Sequence, residues 1–520
     1  MATRVLAVDL GSSSVRALVF EAGRDGTVGP VPGALARRAR QLSTGQVGQA
    51  TFDADDYVGA LVACLDELHQ GGWLDGVTEV ATDSQWHSAL AVGVDGCPVS
   101  EVVSWADTRP RWSPSARAAP VPDDEAGEAL RQRTGCALAP TYWTWRVPWL
   151  RQGCGSTPAR YLGLSEYVGQ ALLADPSMSV AMASGTGLLA TAELDWDGEA
   201  LALAGLGPGE LPELAPPGWY GRLAAGWARR WPALADARWH PVVGDGAAAN
   251  LGVGCDGPGR VAMTIGTSAA VRAVRKAPDR TTLPAGLWRY CVDRERVVVG
   301  AAYSSGGQLY AWALSLWEGM GRQARPGRGG PGGAEGAGSE PDYDIAEPAP
   351  AGSRGVLVMP WHAGTRPPEP AVPGGRGMVL GLGLGHDGSD IVSAAVEAVC
   401  FQLAGGLEDL ERAGDGTGGP LQVVANGGAV DRSPCWRRRL ASVLGRTVQC
   451  PTVPETTARG AAVLALGNGA GPGGPAGGGA GQVDVVEPVE AEVARLAELR
   501  GDWRRWYEAL RPLAGGPGAL

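Results

Sequence analysis

Twice in this chain a strand-like run leads into a turn of glycine and hydroxyl residues and out into a second apolar run. Val5 to Leu10 enter Gly11-Ser12-Ser13-Ser14 and Val15 to Phe20 leave it; Val261 to Ile265 enter Gly266-Thr267-Ser268 and Ala269 to Val274 leave it. Each reads as a hairpin. Glycine removes the Cβ obstacle, so such a turn lets backbone N–H groups and short hydroxyls close on an anion. Either turn taken singly is equally well an ordinary polar hairpin. Together they predict two related α/β domains facing each other, a better clamp for a triphosphate than one hairpin alone.

The 520 residues are enough for two substantial domains. The expected division is 1–241, carrying the first hairpin and the substrate side; 242–470, carrying the second hairpin; and 471–520, a linker with a terminal helix. Asp53 to Leu68 places Tyr57, Leu61, Leu65 and Leu68 at helical spacing. Short apolar runs at Val77–Ala81 and Ser88–Val94 flank Asp83-Ser84-Gln85-Trp86-His87, the pattern of strand ends that deliver polar side chains into a cleft. Gly244-Asp245-Gly246 reads as a turn. Residues 321–352, rich in Gly, Pro and acidic groups, read as a mobile insert, and 467–481 as a flexible linker. Val485 to Leu510 reads as one helix with a stripe of Val489, Val493, Leu496 and Leu499.

A net charge of -11 and a pI near 5.1 argue against general nucleic-acid binding. They leave room for an anionic small molecule, since a few arginines can reverse the field inside a cleft. Nearly all basic character is arginine, with Lys276 the single lysine. The nine cysteines are dispersed with no pair at zinc-ligand spacing, which fits reduced thiols. The N-terminal apolar stretch is broken by Asp9 and too short for a signal peptide, and no later run is read as spanning a membrane. The expected compartment is the cytoplasm.

Asp9, just before the first turn, is placed to hold Mg2+ directly or through water, and Arg16 to reach phosphate charge. The two hairpins resemble the nucleotide site of the actin-like sugar kinase and chaperone ATPase superfamily. Further motifs narrow the resemblance to the FGGY carbohydrate kinases. Gly377-Met378-Val379-Leu380-Gly381-Leu382, then Asp390-Ile391 and Ala394-Ala395-Val396-Glu397, looks like that family's C-terminal signature. Trp105-Ala106-Asp107-Thr108-Arg109 is similar to its Trp-x-Asp-x-Arg segment, and Gly427-Gly428-Ala429 with Ser433-Pro434-Cys435-Trp436 to its adenosine-binding segment. No chaperone-like peptide-binding β-domain is visible.

The resemblance implies two actin-like (ribonuclease H-like) α/β domains around a central cleft, with ATP and Mg2+ as cofactors. It implies Asp245 as catalytic base, and His87, Trp105, Asp107, Arg109 and Asp245 as substrate ligands. Gly11, Ser12, Ser13, Arg16, Gly266, Thr267, Gly306, Gly427, Gly428 and Ala429 would surround the nucleotide, with Asp9 at the metal. For Arg109, a salt bridge to Asp107 competes with a grip on a substrate carboxylate, and for Trp105 a core position competes with stacking on the sugar. The implied partner is a small carbohydrate, with neither nucleic acid nor membrane; dimers are common among related kinases, although no residue here identifies such a face. Gln85-Trp86-His87-Ser88 and the run from Gly244 to Gly252 are closest in wording to gluconate kinases, so D-gluconate is the expected substrate. A ketopentose such as xylulose, or a non-catalytic sugar sensor, stays open. Three departures from the family's pattern stand out: Arg146 for a lysine, Thr365 for the glutamate of Gly-Glu-Arg, and Ser12-Ser13 for threonines.

Overall fold

The computed structural model describes residues 3–23, 26–112, 124–155, 157–207, 209–319, 349–369, 372, 375–414, 418–467 and 483–514. In the first of two large sheets, β1 (Thr3–Leu10), β2 (Ser14–Ala22) and β3 (Val28–Ala39) form an antiparallel meander, and β4 (Val77–Ser84) joins β1 in parallel. The short strands β5 (Arg238–Trp239) and β6 (Val243–Gly244) both run parallel to β4. The second sheet repeats this plan. Here β7 (Arg260–Ile265), β8 (Ala269–Lys276), β9 (Trp288–Cys291) and β10 (Arg296–Tyr303) form the antiparallel part, in spatial order β9-β10-β8-β7. β11 (Gln422–Asn426) then lies parallel to β7, β12 (Val448–Pro451) parallel to β11, and β13 (Val483–Val486) closes the edge antiparallel to β12. The two hairpins expected from the sequence are β1–β2 and β7–β8, each opening its own sheet.

Parallel neighbours require crossovers, and helices supply them. Helix α1 (Ala54–Gln70) starts where the Asp53 carboxylate accepts from the N–H groups of Asp55 and Asp56, at 2.8 and 3.1 Å. Its stripe of Tyr57, Leu61, Leu65 and Leu68 is buried against β2 and β3. Tyr57 goes further: its hydroxyl donates to the Gly11 carbonyl at 2.9 Å, pinning the first hairpin turn to the helix. Helix α2 (Trp143–Gly153) carries Arg146, whose guanidinium reaches the loops bearing His87, Trp105 and Asp107.

Helix α3 (Asp245–Gly252) follows directly on β6, so Gly244-Asp245-Gly246 is the entry to a helix and not the turn read from its glycines. The small residues behind it let α3 cross closely over a later helix. Helix α4 (Gly388–Ala413) is the long helix of the second half, opened by a reciprocal capping box between Asp387 and Asp390. It is the one helix among the described residues long and apolar enough to cross a membrane, which the sequence reading did not anticipate; 94% of its most apolar stretch is packed inside the protein.

Helix α5 (Thr456–Ala465) comes late in the chain yet packs on α3 and on β1 and β4 of the first sheet. Arg459 on it donates to the Val28 carbonyl at 3.0 Å and to the Gly252 carbonyl at 2.5 Å, tying it to the first sheet and to α3.

The terminal helix α6 is shorter than expected, Glu490–Leu510, because 483–486 are strand β13. The alternation Val483-Asp484-Val485 suits a strand, and Pro488 biases its predecessor away from helical geometry. The expected insert, except for 349–352, and the expected linker, except for Gly467, lie outside the described residues.

Candidate functional site

Three aspartates arrive together because parallel register aligns the ends of their strands. Asp9 at the end of β1 sits beside Asp83 of β4, and Asp83 sits beside Val243 of β6, two residues before Asp245. Asp9 and Asp83 are 2% and 0% exposed, so water cannot neutralise them. Neither Asp83 oxygen meets a hydrogen-bond donor. Burial, with Asp9 and Asp245 nearby, pushes the Asp83 carboxyl well above the ordinary range. Burial also raises Asp9, against the opposing pull of Arg16. Two facing carboxylates of this kind share a proton or a cation. Among the described residues no group of three or more His, Cys, Asp or Glu side chains could hold a metal by itself. Mg2+, however, is commonly bound through one or two carboxylates plus phosphate oxygens, and the Asp9–Asp83 pair fits that demand.

The turns above these aspartates are built tightly. The Gly11 N–H donates to the Ser14 carbonyl at 3.1 Å, and a Cβ on Gly11 would lie 3.2 Å from an Asp9 oxygen. In the second turn the Gly266 N–H donates to the Ser268 carbonyl at 3.0 Å, and the Gly266 and Thr267 carbonyls accept from the N–H groups of Gly307 and Gln308. Gly306 leaves no room for a side chain, since a Cβ would stand 2.6 Å from the Ser268 oxygen. Gly427, at φ 98°, closes on the Ile265 carbonyl in the same way, and Gly428 and Ala429 begin the short helix after β11. The second-half nucleotide candidates therefore gather around the ends of β7 and β11. Ser13 is exposed on the first turn. Arg16 is taken up by ion pairs to Asp9 and to Glu455, the residue that precedes α5.

A cavity of about 460 Å3 lies between the halves, lined by Ser12 of the first turn, Ser268 of the second, Asp245, and the loops bearing His87, Trp105 and Asp107. Asp245 stands at the N-terminus of α3 with one oxygen accepting from the Gly246 N–H at 2.7 Å. Burial raises its carboxyl, and Arg272 is the chief influence in the other direction. His87, held at φ 69°, sets Nδ1 2.6 Å from the Gly185 carbonyl; burial pushes its ring down to about 3, so it works as a neutral imidazole. Trp86, Trp288 and Tyr290 form an aromatic wall, with Trp288 stacked on Tyr290 at 4.4 Å.

The loops carrying the substrate candidates are held by Arg146. This fully buried guanidinium donates to the carbonyls of Pro140, His87, Val103, Trp105 and Asp107, at 2.7 to 3.4 Å. Asp107 is turned inward, accepting from the Ala50 N–H and from Arg109. Arg109 lies over the Trp149 ring at 4.9 Å and is not part of the cavity lining, so of the two readings open for it the geometry carries the Asp107 salt bridge. Trp105 does line the cavity, beneath Arg366 at 4.1 Å. The sequence assigns no site role to Arg146 as an anchor, to Arg272 or to Arg366, and it places Asp83 in a polar group delivered into a cleft without a metal role. Arg272 left a signal, an arginine in the otherwise apolar start of β8, whereas nothing local marks Arg366 as facing a cleft.

Two family descriptions match the chain: the N-terminal domain of the FGGY family of carbohydrate kinases over residues 4–252, and its C-terminal domain over 261–468. Among curated proteins, the gluconokinase of Bacillus subtilis (strain 168) is 26% identical over 483 residues, spanning 90% of this chain and 88% of that one. The glycerol kinase of Trichlorobacter lovleyi is 28% identical over 536 residues, 97% of this chain and 98% of that one. Among solved structures, gluconate kinase from Lactobacillus acidophilus superposes with a TM-score of 0.80 at 22% identity, over 98% of this chain and 99% of that one. A ligand-bound xylulose kinase from Lactobacillus acidophilus gives 0.81 at 23% identity, over 98% of each chain. At those identities the superpositions speak for the fold: two α/β domains with a cleft between them. With both domain descriptions matched in order across most of its length, the chain belongs to the FGGY family of carbohydrate kinases.

Proposed function

We propose that this carbohydrate kinase uses ATP with Mg2+ to phosphorylate a hydroxyl of a small sugar or sugar acid, with D-gluconate as the acceptor. One observation carries the reading: Asp245 opens onto the same cavity as Ser12 and Ser268, one residue from each phosphate-type turn. An acceptor hydroxyl in that cavity gives its proton to the Asp245 carboxylate as its oxygen bonds to the γ-phosphorus and the bond to the ADP oxygen breaks. The backbone of the two turns orients the phosphates, and Asp9 with Asp83 would hold the metal. When bound, Mg2+ would neutralise phosphate charge in the transfer. His87, neutral and fixed by Gly185, offers a hydrogen bond to a sugar hydroxyl. Trp105 offers a face to the carbon chain. The division of labour between 1–241 and 242–470 belongs to the same proposal, as does a cytoplasmic enzyme.

Gluconate is favoured by the wording around Gln85–Ser88 and Gly244–Gly252 and by the gluconokinase relatives; the xylulose kinase likeness makes a ketopentose the second reading. The test is ADP release with Mg-ATP over D-gluconate, D-xylulose, L-ribulose, L-fuculose, glycerol and erythritol, with Asp245→Asn as control. Gluconate turnover that falls on the order of 10²-fold or more in the variant is the expected result. Turnover on another acceptor alone would overturn the substrate. Unchanged turnover in Asp245→Asn would remove it as the base, and silence across the panel with ATP still bound would leave a sugar sensor.

A further inference from the structure

The charges lining the cavity do not cancel. Its charged residues are Asp107, Asp245, Arg272 and Arg366. Asp107 is spent on Arg109 and the Ala50 amide, outside the lining. His87 is neutral. What faces the cavity is thus one carboxylate against two guanidinium groups, an excess of one positive charge. Such an excess in an enclosed site is costly unless something anionic answers it.

Among the described residues, neither Arg272 nor Arg366 has a carboxylate partner within 4 Å, whereas Arg16 and Arg109 are each paired with an aspartate. The two arginines stand in different places. Arg272 is on β8, with its Nε 3.1 Å from where a Cβ on Gly246 would lie, so it serves the Asp245 end of the cavity. Arg366 comes from the loop lined by Ala363, Thr365 and Pro367, and its guanidinium sits on the Trp105 face. A guanidinium resting on an aromatic face keeps its in-plane N–H fork available, the geometry that takes a carboxylate through two parallel hydrogen bonds. Its neighbour Thr365 brings no charge; the Thr365 hydroxyl accepts from the Val372 N–H at 2.9 Å. Burial and repulsion from Arg272 push the Arg366 guanidinium down to about 10 against the pull of Asp245, a single carboxylate that it shares with Arg272, and it stays cationic at neutral pH.

We infer that Arg366, seated on Trp105, is the group that recognises the acceptor's carboxylate, which makes this cavity selective for acidic sugars over neutral ones of the same length. The inference rests on the kinase reading of the cavity, but it concerns binding and is tested without turnover. Equilibrium binding of D-gluconate and of D-glucitol, its neutral counterpart, is measured by calorimetry on the full chain, without nucleotide. The wild type binds gluconate at least about tenfold more tightly than glucitol, and Arg366→Gln weakens gluconate by roughly 10- to 100-fold while leaving glucitol within about twofold. Arg366→Lys, which keeps the charge without the fork and preserves the fold should the glutamine variant fail, recovers part of the preference.

Equal binding of the two ligands by the wild type overturns the inference, as does an equal loss of both in Arg366→Gln. Intact gluconate preference in Arg366→Gln with lowered kcat for every acceptor also overturns it, assigning the arginine to the transferred phosphate. An Arg366-dependent gluconate preference with no phosphorylation of any acceptor supports this inference while overturning the kinase reading. Phosphorylation without any acid preference does the reverse.

Discussion

Asp245 is positioned by a helix crossing, and the crossing depends on two glycines. A Cβ on Gly460 of α5 would lie 1.8 Å from the Ala248 carbonyl oxygen of α3, 2.6 Å from its carbon and 2.8 Å from the Gly252 nitrogen. A Cβ on Gly252 would meet the Thr456 oxygen at 1.9 Å. A carbon approaches a carbonyl oxygen no closer than about 3.3 Å, so Gly460→Ala forces α3 and α5 apart by about 1.5 Å. These obstacles are backbone atoms, which cannot swing aside as a side chain does. The overpacking alone costs about 1–3 kcal/mol. With Asp245 as the proposed base, the functional effect is larger, because α3 begins at Asp245 and a displacement of about 1 Å at a reacting group costs about 10²-fold in rate. Thermal denaturation and steady-state kinetics on Gly460→Ala are therefore expected to show a modest loss of stability and a loss of kcat on the order of 10²-fold. Gly226→Ala is the control: it lies in the exposed helix Ala225–Arg230 with nothing within 4 Å of the added methyl, and gains up to about 1 kcal/mol of helix propensity. If Gly460→Ala keeps wild-type stability and kcat, the crossing does not set the position of Asp245, and the reasoning fails.

Three further perturbations bear on other parts of the molecule. Arg272→Gln removes the chief group that lowers the Asp245 carboxyl against burial, so the acid limb of the kcat/KM pH profile moves to higher pH; a limb that stays in place or moves down refutes Arg272 as its counter-charge. Arg146→Lys replaces five fixed donors with three and strands carbonyls that the guanidinium now satisfies. It is expected to raise KM for the acceptor and to destabilise by about 2 kcal/mol or more, read by acceptor titration and denaturant unfolding. Burial raises the Glu166 carboxyl from 4.5 to about 7, so the folded state holds its proton where the unfolded chain has lost it. Its stabilising contribution is complete below the unfolded value and is lost as pH rises through about 7, a loss of about 3 kcal/mol. In Glu166→Gln this slope between pH 4.5 and 7 should vanish from chemical denaturation curves, and a slope that persists unchanged refutes the assignment.

The sequence was readable where function is carried by local chain geometry. Hairpins at Gly11 and Gly266 announce themselves because the turn residues and flanking strands are contiguous, and the α1 stripe is a single-helix pattern. Misreadings came where one residue serves two kinds of element. Gly244 and Gly246 looked like turn glycines, yet Gly244 is small because a Cβ there would lie 1.8 Å from the Trp86 ring, a packing demand from 158 positions earlier in the chain (244 − 86). Likewise Val485 and Val486 fit an apolar helix stripe until the partner strand β12 is known.

Charge was the least legible property, because the sign of a cleft is a sum over residues that topology assembles. For Arg109 the sequence leaves both a grip on a carboxylate and a salt bridge to Asp107 open; the fold pairs it with Asp107 at 2.7 Å, outside the cavity lining. Arg272 and Arg366 come from a strand and a loop far apart in sequence, and only the meeting of β6, β8 and the 363–367 loop makes them neighbours of Asp245. A motif fixes which groups are present; whether an arginine is free to meet a ligand depends on which carboxylates the fold has already brought to it. For this kinase, then, local chain geometry makes the two glycine turns readable in the sequence, and the long-range fold decides which charges face the cavity between them.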